Sequence, residues 1–126
     1  MKSQTKILIS EDTAILRDQY CRMIDELGYN YRSSTGFGDI FEEKIIPYQP
    51  HLLLVDTKLP GTTGLYICKQ LRETDYGKKM GVTGMSNESF DREWLGIGAD
   101  LFLLKRDITP EILEKGIKIV LEKYRK

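Results

Sequence analysis

The segment His51-Leu52-Leu53-Leu54-Val55-Asp56-Thr57-Lys58-Leu59-Pro60-Gly61 puts four large apolar residues in succession directly before a carboxylate and a run of turn formers. An apolar run without polar alternation fits a strand buried on both faces, as in a parallel sheet sandwiched between helices. Working outward, Lys6–Ser10 and Leu101–Leu104 are further short apolar strands, with weaker ones at Tyr29–Ser33 and Met80–Met85. Between them the spacing turns helical. Thr13–Leu27 carries Ile15, Leu16, Tyr20, Met23, Ile24 and Leu27 at three-four intervals and stops at Gly28. Helices are also expected over Asp39–Ile46, ending before Pro47, and over Gly64–Arg72, Phe90–Ile97 and Pro110–Tyr124. The alternation predicts an α/β fold: a flavodoxin-like, doubly wound (βα)5 three-layer sandwich around a five-stranded parallel sheet.

At 126 residues the chain reads as one domain, 1–126, with no separate output domain. Such a length buries roughly two-thirds of the surface that the unfolded chain exposes. A formal net charge of zero creates no field that would gather nucleic acid or acidic lipid, so neither is expected as a direct partner. Apolar runs are too short to span a bilayer and the start lacks a signal-like apolar core, so a cytoplasmic location is expected. Cys21 and Cys68 show no metal-binding spacing and read as reduced, core-facing thiols. The lone His51 leaves a zinc site or a Ser/His/Asp triad without its usual parts. Trp94 reads as packing, with a partner surface as the alternative, and Lys115, Lys118, Lys123, Arg125 and Lys126 as the wet face of the last helix.

In doubly wound sheets ligands gather beyond the carboxyl ends of the strands. At those ends lie Ser10-Glu11-Asp12, then Asp56, then either Thr83-Gly84 or Ser86-Asn87, and finally Lys105. An aspartate after a strand is most often a turn former or helix cap, and Asp12 could also cap the first helix. The ordered set carries more weight than any member. Carboxylates converging on one edge repel unless a cation joins them, and an all-oxygen acidic cluster suits Mg²⁺. A neighbouring lysine balances charge and can reach a phosphoryl group, while a hydroxyl can bond another phosphoryl oxygen. Together these groups would let one carboxylate accept a phosphoryl group.

"KILISEDTAILR", "HLLLVDTKLPGTTGLYICKQLR" and "GADLFLLK" resemble, in order and spacing, the CheY-like response-regulator receiver domain of two-component signalling, and the resemblance runs from Lys6 to about Tyr124. It implies that Asp56 takes a phosphoryl group from a sensor histidine kinase or a phosphotransfer protein. It implies that Asp12 binds Mg²⁺ with Asp56, that Glu11 helps directly or through water, and that the Lys58 backbone carbonyl is a further ligand. Lys105 would grip the phosphoryl group, and Phe102 matches the aromatic whose rotamer reports phosphorylation. The output would be a changed surface around helix 4, strand 5 and helix 5, read by a downstream protein or a fused output domain. Such a protein is no enzyme beyond its own phosphorylation and dephosphorylation.

Thr83 is the preferred switch hydroxyl, because it stands at the family's usual distance before the lysine and small Gly84 follows it. Ser86 stands at a family-like distance after Asp56 but precedes the bulkier Asn87. Two positions depart from the family pattern. Arg106 replaces the proline of a cis peptide, and a non-proline cis bond costs ~3 kcal/mol, so a trans bond and a redirected Lys105 are expected. Lys58 puts an ammonium two residues past the acceptor, where it would partly neutralise the acidic cluster. A receiver-fold interaction module that signals without phosphorylation is the alternative reading. An aspartyl phosphatase of the haloacid dehalogenase type would need an acid where Lys58 stands, and neither a Walker A loop nor GxGxxG is present for nucleotides.

Overall fold

In the computed structural model, which describes residues 2–35 and 40–124, five strands form one parallel sheet. They are β1 (Lys6–Ser10), β2 (Asn30–Ser34), β3 (Leu52–Asp56), β4 (Gly81–Ser86) and β5 (Leu101–Leu104), in the order β2-β1-β3-β4-β5. The central place of β3 explains its unbroken apolar run. Leu52, Leu53, Leu54 and Val55 are each at most 1 % exposed, because alternate side chains enter different cores. Leu53 and Val55, with Leu8 of β1 and Val82 of β4, pack with Ile67, Cys68 and Leu71 of α3 (Gly64–Arg72) and with Trp94 of α4 (Asp91–Gly96). Leu52 and Leu54, with Ile7 and Ile9, pack on Tyr20 and Ile24 of α1 (Ala14–Glu26) and on Leu113, Ile117 and Val120 of α5 (Pro110–Tyr124). Each such side chain contributes ~2 kcal/mol by burial, so the strand ends are fixed points.

The helices follow the expected pattern with local differences. Thr13, not Asp12, is the N-cap residue of α1, and Asp12 stays exposed in the preceding loop. The helix expected to end before Pro47 instead runs past it. A wide π-turn over Phe41–Ile45 leads into α2 (Ile46–Tyr48), which carries Pro47 in its first turn, where a missing N–H costs nothing. The chain then turns through Gln49 at φ 53°. The expected first residue of that helix, Asp39, lies outside the described residues, as do Arg125 and Lys126. A two-residue hairpin, Lys58–Leu59 with Thr62–Thr63, connects β3 to α3. Trp94 is wholly buried, which removes the partner-surface reading.

The amino-terminal edge of the sheet is tied by a polar network. The Arg72 guanidinium donates to the carbonyls of Gly77 (2.6 Å), Met80 (2.6 Å) and Gly98 (2.8 Å) and pairs with Asp100 at 3.0 Å. Asp100, with its side chain 2 % exposed, also accepts from Val82 N at 2.9 Å, Lys123 Nζ at 2.6 Å and the Tyr124 hydroxyl. Lys123, read from sequence as part of a solvated face, is thus a tether. One network joins the end of α3, the starts of β4 and β5, and the end of α5. Removing one partner strands a buried charge, which costs about 3–5 kcal/mol. Arg72→Ala is therefore expected to lower the unfolding free energy by about that amount in urea titrations, whereas Lys118→Ala, which loses an exposed 3.9 Å contact to Glu114, leaves it nearly unchanged.

Candidate functional site

At the carboxyl edge, β1, β3 and β5 end side by side across β4, and each delivers a charged residue. Glu11 extends β1 by one backbone bond, Glu11 N to Ser34 O at 3.0 Å, and Arg17 Nη1 holds the Glu11 carbonyl at 2.8 Å. These contacts aim the Glu11 carboxylate inward, where it is 0 % exposed. Its Oε2 accepts from Thr13 N at 3.1 Å and its Oε1 pairs with Lys105 Nζ at 2.7 Å. Lys105 Nζ also lies 3.1 Å from Asp56 Oδ1. The ammonium thus sits between two acids in a nearly dry setting, its side chain only 7 % exposed.

Burial pushes the Glu11 carboxyl up to about 7; proximity to Asp56 adds to this, and the Lys105 and Thr13 hydrogen bonds oppose it. Burial alone would lower Lys105, but Glu11 and Asp56 outweigh it and raise the ammonium above its ordinary value. The Tyr20 phenol, buried on the α1 side, is raised by burial and then by the charges of Glu11 and Asp56. Asp12 completes the acidic group from the solvent side. Carboxylate oxygens of Glu11, Asp12 and Asp56 all lie within 4.8 Å of one another. Above them opens a cleft of about 170 Å³ lined by Asp12, Thr13, Asp56, Lys58, Ser86, Asn87, Glu88 and Lys105. Its chemistry is that of hard oxygen donors beside one ammonium, which suits a small divalent cation and an anionic oxygen ligand together.

Lys105 reaches this site although its peptide to Arg106 is trans, as are all peptide bonds among the described residues. The expectation of a redirected Lys105 is overturned. The chain turns immediately into a single 3₁₀ turn, Lys105–Asp107, closed by Ile108 N to Lys105 O at 3.2 Å. Lys58 also differs from expectation. Its ammonium pairs with Glu88 at 3.6 Å, the two side chains 77 % and 67 % exposed, so it reaches across the cleft mouth and not into the acids.

The preferred hydroxyl, Thr83, is not at the site. It pairs with Leu54 in the middle of the sheet and, by strand alternation, faces the α1/α5 core with Leu54 and Met85. Asp56 pairs with Met85, so the next residue, Ser86, stands at the cleft, three residues or ~10 Å further along β4. Its hydroxyl accepts from Glu88 N at 3.1 Å. Counting back from Lys105 misplaced the hydroxyl because α4 is a mere six residues long. Counting forward from Asp56 leads to the cleft because β3 and β4 are locked in register, and Ser86-Asn87 is the turn signal that marks the strand end. Phe102 is half-buried on β5, opposite Gly84. It lines a groove of about 450 Å³ with residues of the β4–α4 loop, β5 and the start of α5.

Comparison with known proteins agrees with this geometry. The family model described as response regulator receiver domain matches residues 7–118. The aerobic respiration control protein ArcA of Escherichia coli strain K12 is 32 % identical over 99 residues, covering 79 % of this chain and 41 % of ArcA. The chain therefore spans about two-fifths of that relative's length. A CheY-like response regulator receiver domain protein from Methanospirillum hungatei JF-1 superposes with a TM-score of 0.84 at 22 % identity, covering 95 % of both chains. The signal receiver domain of a DNA binding response regulator from Colwellia psychrerythraea 34H gives 0.84 at 22 % identity, over 94 % of this chain and 99 % of that one. At these identities the two structures speak for the fold alone, which is the flavodoxin-like receiver fold. With the family model spanning nearly all of the chain, the chain belongs to the response regulator receiver domain family of two-component signalling.

Proposed function

We propose that this receiver is a phosphoacceptor switch in which Asp56 takes a phosphoryl group from a sensor histidine kinase or a phosphotransfer protein. The observation that carries this reading is the Lys105 ammonium 3.1 Å from Asp56 Oδ1 at the mouth of an acidic cleft. An Asp56 oxygen attacks phosphorus as the phosphorus–nitrogen bond of a phosphohistidine breaks, its electron pair leaving on the imidazole. Lys105 then shifts from the carboxylate to a phosphoryl oxygen, and Ser86 Oγ, in the place first assigned to Thr83, donates to another. Receiver domains bind Mg²⁺ at an acidic pocket, and the oxygen-only donor set here fits that ion. Asp12, Asp56 and the Lys58 carbonyl would hold it, with Glu11 acting through water because Lys105 and Thr13 N engage its two oxygens. When bound, the ion would neutralise the charge that builds on the phosphoryl oxygens. Hydrolysis by water returns the free carboxylate.

The output is read at α4, β5 and α5, where Phe102 lies and where Leu95, Ile112 and Ile119 are exposed at 52 %, 39 % and 57 %. A partner protein or a fused output domain would cover this apolar surface. No helix among the described residues is long and apolar enough to cross a membrane, and a cytoplasmic site of action accords with kinase-driven signalling.

With Mg²⁺ and acetyl phosphate, intact-mass analysis should show one added phosphoryl group on the wild type and none on Asp56→Asn. An unmodified wild type, also inert to histidine-kinase phosphodonors, would favour the interaction module that works without phosphorylation. In the same assay Ser86→Ala and Lys58→Ala should change the adduct's half-life, the second by opening the Lys58–Glu88 strap, while Thr83→Val leaves it unaltered. Equal half-lives for wild type and Lys58→Ala would remove Lys58 from the mechanism.

The raised Glu11 carboxyl makes a pH prediction. Mg²⁺ affinity should fall as pH drops through about 7 and Glu11 takes up a proton, and Glu11→Gln should flatten that fall. Without metal the effect on stability has the opposite sense. A carboxyl raised from 4.5 to about 7 contributes stability fully below 4.5 and loses it as pH rises to about 7. Chemical denaturation at pH 6 and pH 8, with and without Mg²⁺, checks both signs.

A further inference from the structure

Trp94 is the one tryptophan in the chain and is 0 % exposed, although its helix, α4, is short and exposes its next residue, Leu95. Its indole N–H donates to Thr57 Oγ1 at 2.9 Å. Thr57 directly follows the acceptor Asp56. The Thr57 hydroxyl donates to Met85 O at 2.7 Å, Thr57 N donates to the same oxygen at 2.9 Å, and the Thr57 carbonyl accepts from Gly64 N at 2.8 Å. Thr57 is thus held on every polar atom, and one of its holders comes from α4.

Two glycines make room for the ring. A side-chain carbon on Gly84 would collide with the fused bond of the indole. One on Gly64 would meet the far ring edge, Trp94 Cη2, at 2.8 Å, and would collide with the Asp56 carbonyl oxygen. Neither glycine has a positive φ, so space and not backbone conformation is what they supply. Phe102 pairs with Gly84 across β4 and β5, hence the indole fills the space beneath the sheet on the side where Phe102 sits.

We propose that Trp94 is a positioning residue that couples loading of Asp56 to α4 through Thr57, its N–H bond being made in the unloaded state and broken on loading. The proposal rests on the phosphoacceptor reading above. Met85 O, the anchor of the Thr57 hydroxyl, lies one peptide before Ser86, the hydroxyl that closes on the phosphoryl group. Movement of Ser86 toward a loaded Asp56 shifts the Met85–Ser86 peptide, turns the Thr57 hydroxyl and withdraws the acceptor from the indole. A buried N–H without a partner is costly, so the indole and its short helix move with it. Because coupling is reciprocal, a bond present in the unloaded state alone must also oppose loading.

The test uses the full chain with Mg²⁺ and acetyl phosphate, following intact mass and Trp94 emission together. Formation of the adduct with a concurrent change in emission wavelength supports the coupling. Adduct formation with unchanged emission overturns it while the phosphoacceptor reading stands, and absence of an adduct with acetyl phosphate and with histidine-kinase phosphodonors alike overturns both. A second arm measures the apparent affinity for beryllofluoride with Mg²⁺ by a competition assay for phosphorylation. Thr57→Val, which removes the acceptor and keeps the side-chain shape, should bind about five-fold tighter or more, and Thr57→Ser should restore the wild-type value. Equal affinities in folded Thr57→Val, Thr57→Ser and wild type would leave Trp94 a packing residue and overturn the proposal.

Discussion

A single ammonium in a nearly dry crevice organises the functional edge. Lys105 would be too costly to bury alone, and Glu11 and Asp56 would repel each other without it. Its contacts of 2.7 Å and 3.1 Å to those acids solve both problems. The arrangement is neither neutral nor closed, because one ammonium faces three acids, and Asp12 and Asp56 still line the cleft. Spare acidic oxygens beside one ammonium leave room for a divalent cation and an anionic oxygen ligand together, which is what the proposed phosphoryl acceptance requires.

The rest of the fold keeps those charges in register. Each comes from a different strand end, and parallel pairing through a core covered on both faces prevents the ends from sliding. Rigidity is concentrated at the opposite edge. There Arg72 and Asp100 gather three carbonyls, a strand N–H, a lysine and a tyrosine into one buried network. Buried polar contacts thus fix the amino ends of β4 and β5, while at their carboxyl ends the charged groups border an open cleft. The short α4 is attached to that second side by Trp94.

Much of this was legible in the residues because the relevant signals are local. The unbroken Leu52–Val55 run, the helical spacing of α1 and α5, and acids or a lysine directly after apolar strands each depend on neighbours in the chain. The errors have a common origin. The family's usual distance before the lysine points to Thr83, but the short α4 alters that distance, and the pairing of Asp56 with Met85 puts the next residue, Ser86, at the cleft. Lys105 was expected to turn away with the loss of proline, yet a 3₁₀ turn after it leaves the side chain in place. Lys58 was expected to neutralise part of the acidic cluster, while its contact is Glu88 from another loop.

By itself, then, the sequence determined the α/β architecture, the identities of Glu11, Asp12, Asp56 and Lys105, and the edge at which they meet. Hydrophobic periodicity and strand–helix alternation suffice for that, since both are properties of short windows. Only the tertiary structure decided which hydroxyl joins the site, which acid neutralises which cation, and why Gly64, Gly84 and Trp94 belong together. Those are facts of register and of three-dimensional volume, and a glycine reveals the ring it accommodates only when the ring is seen lying against it. "VDTKLPG" is accordingly more than a carboxylate with a turn after it. Its threonine is the point where the loop after Asp56 and the fourth helix are joined.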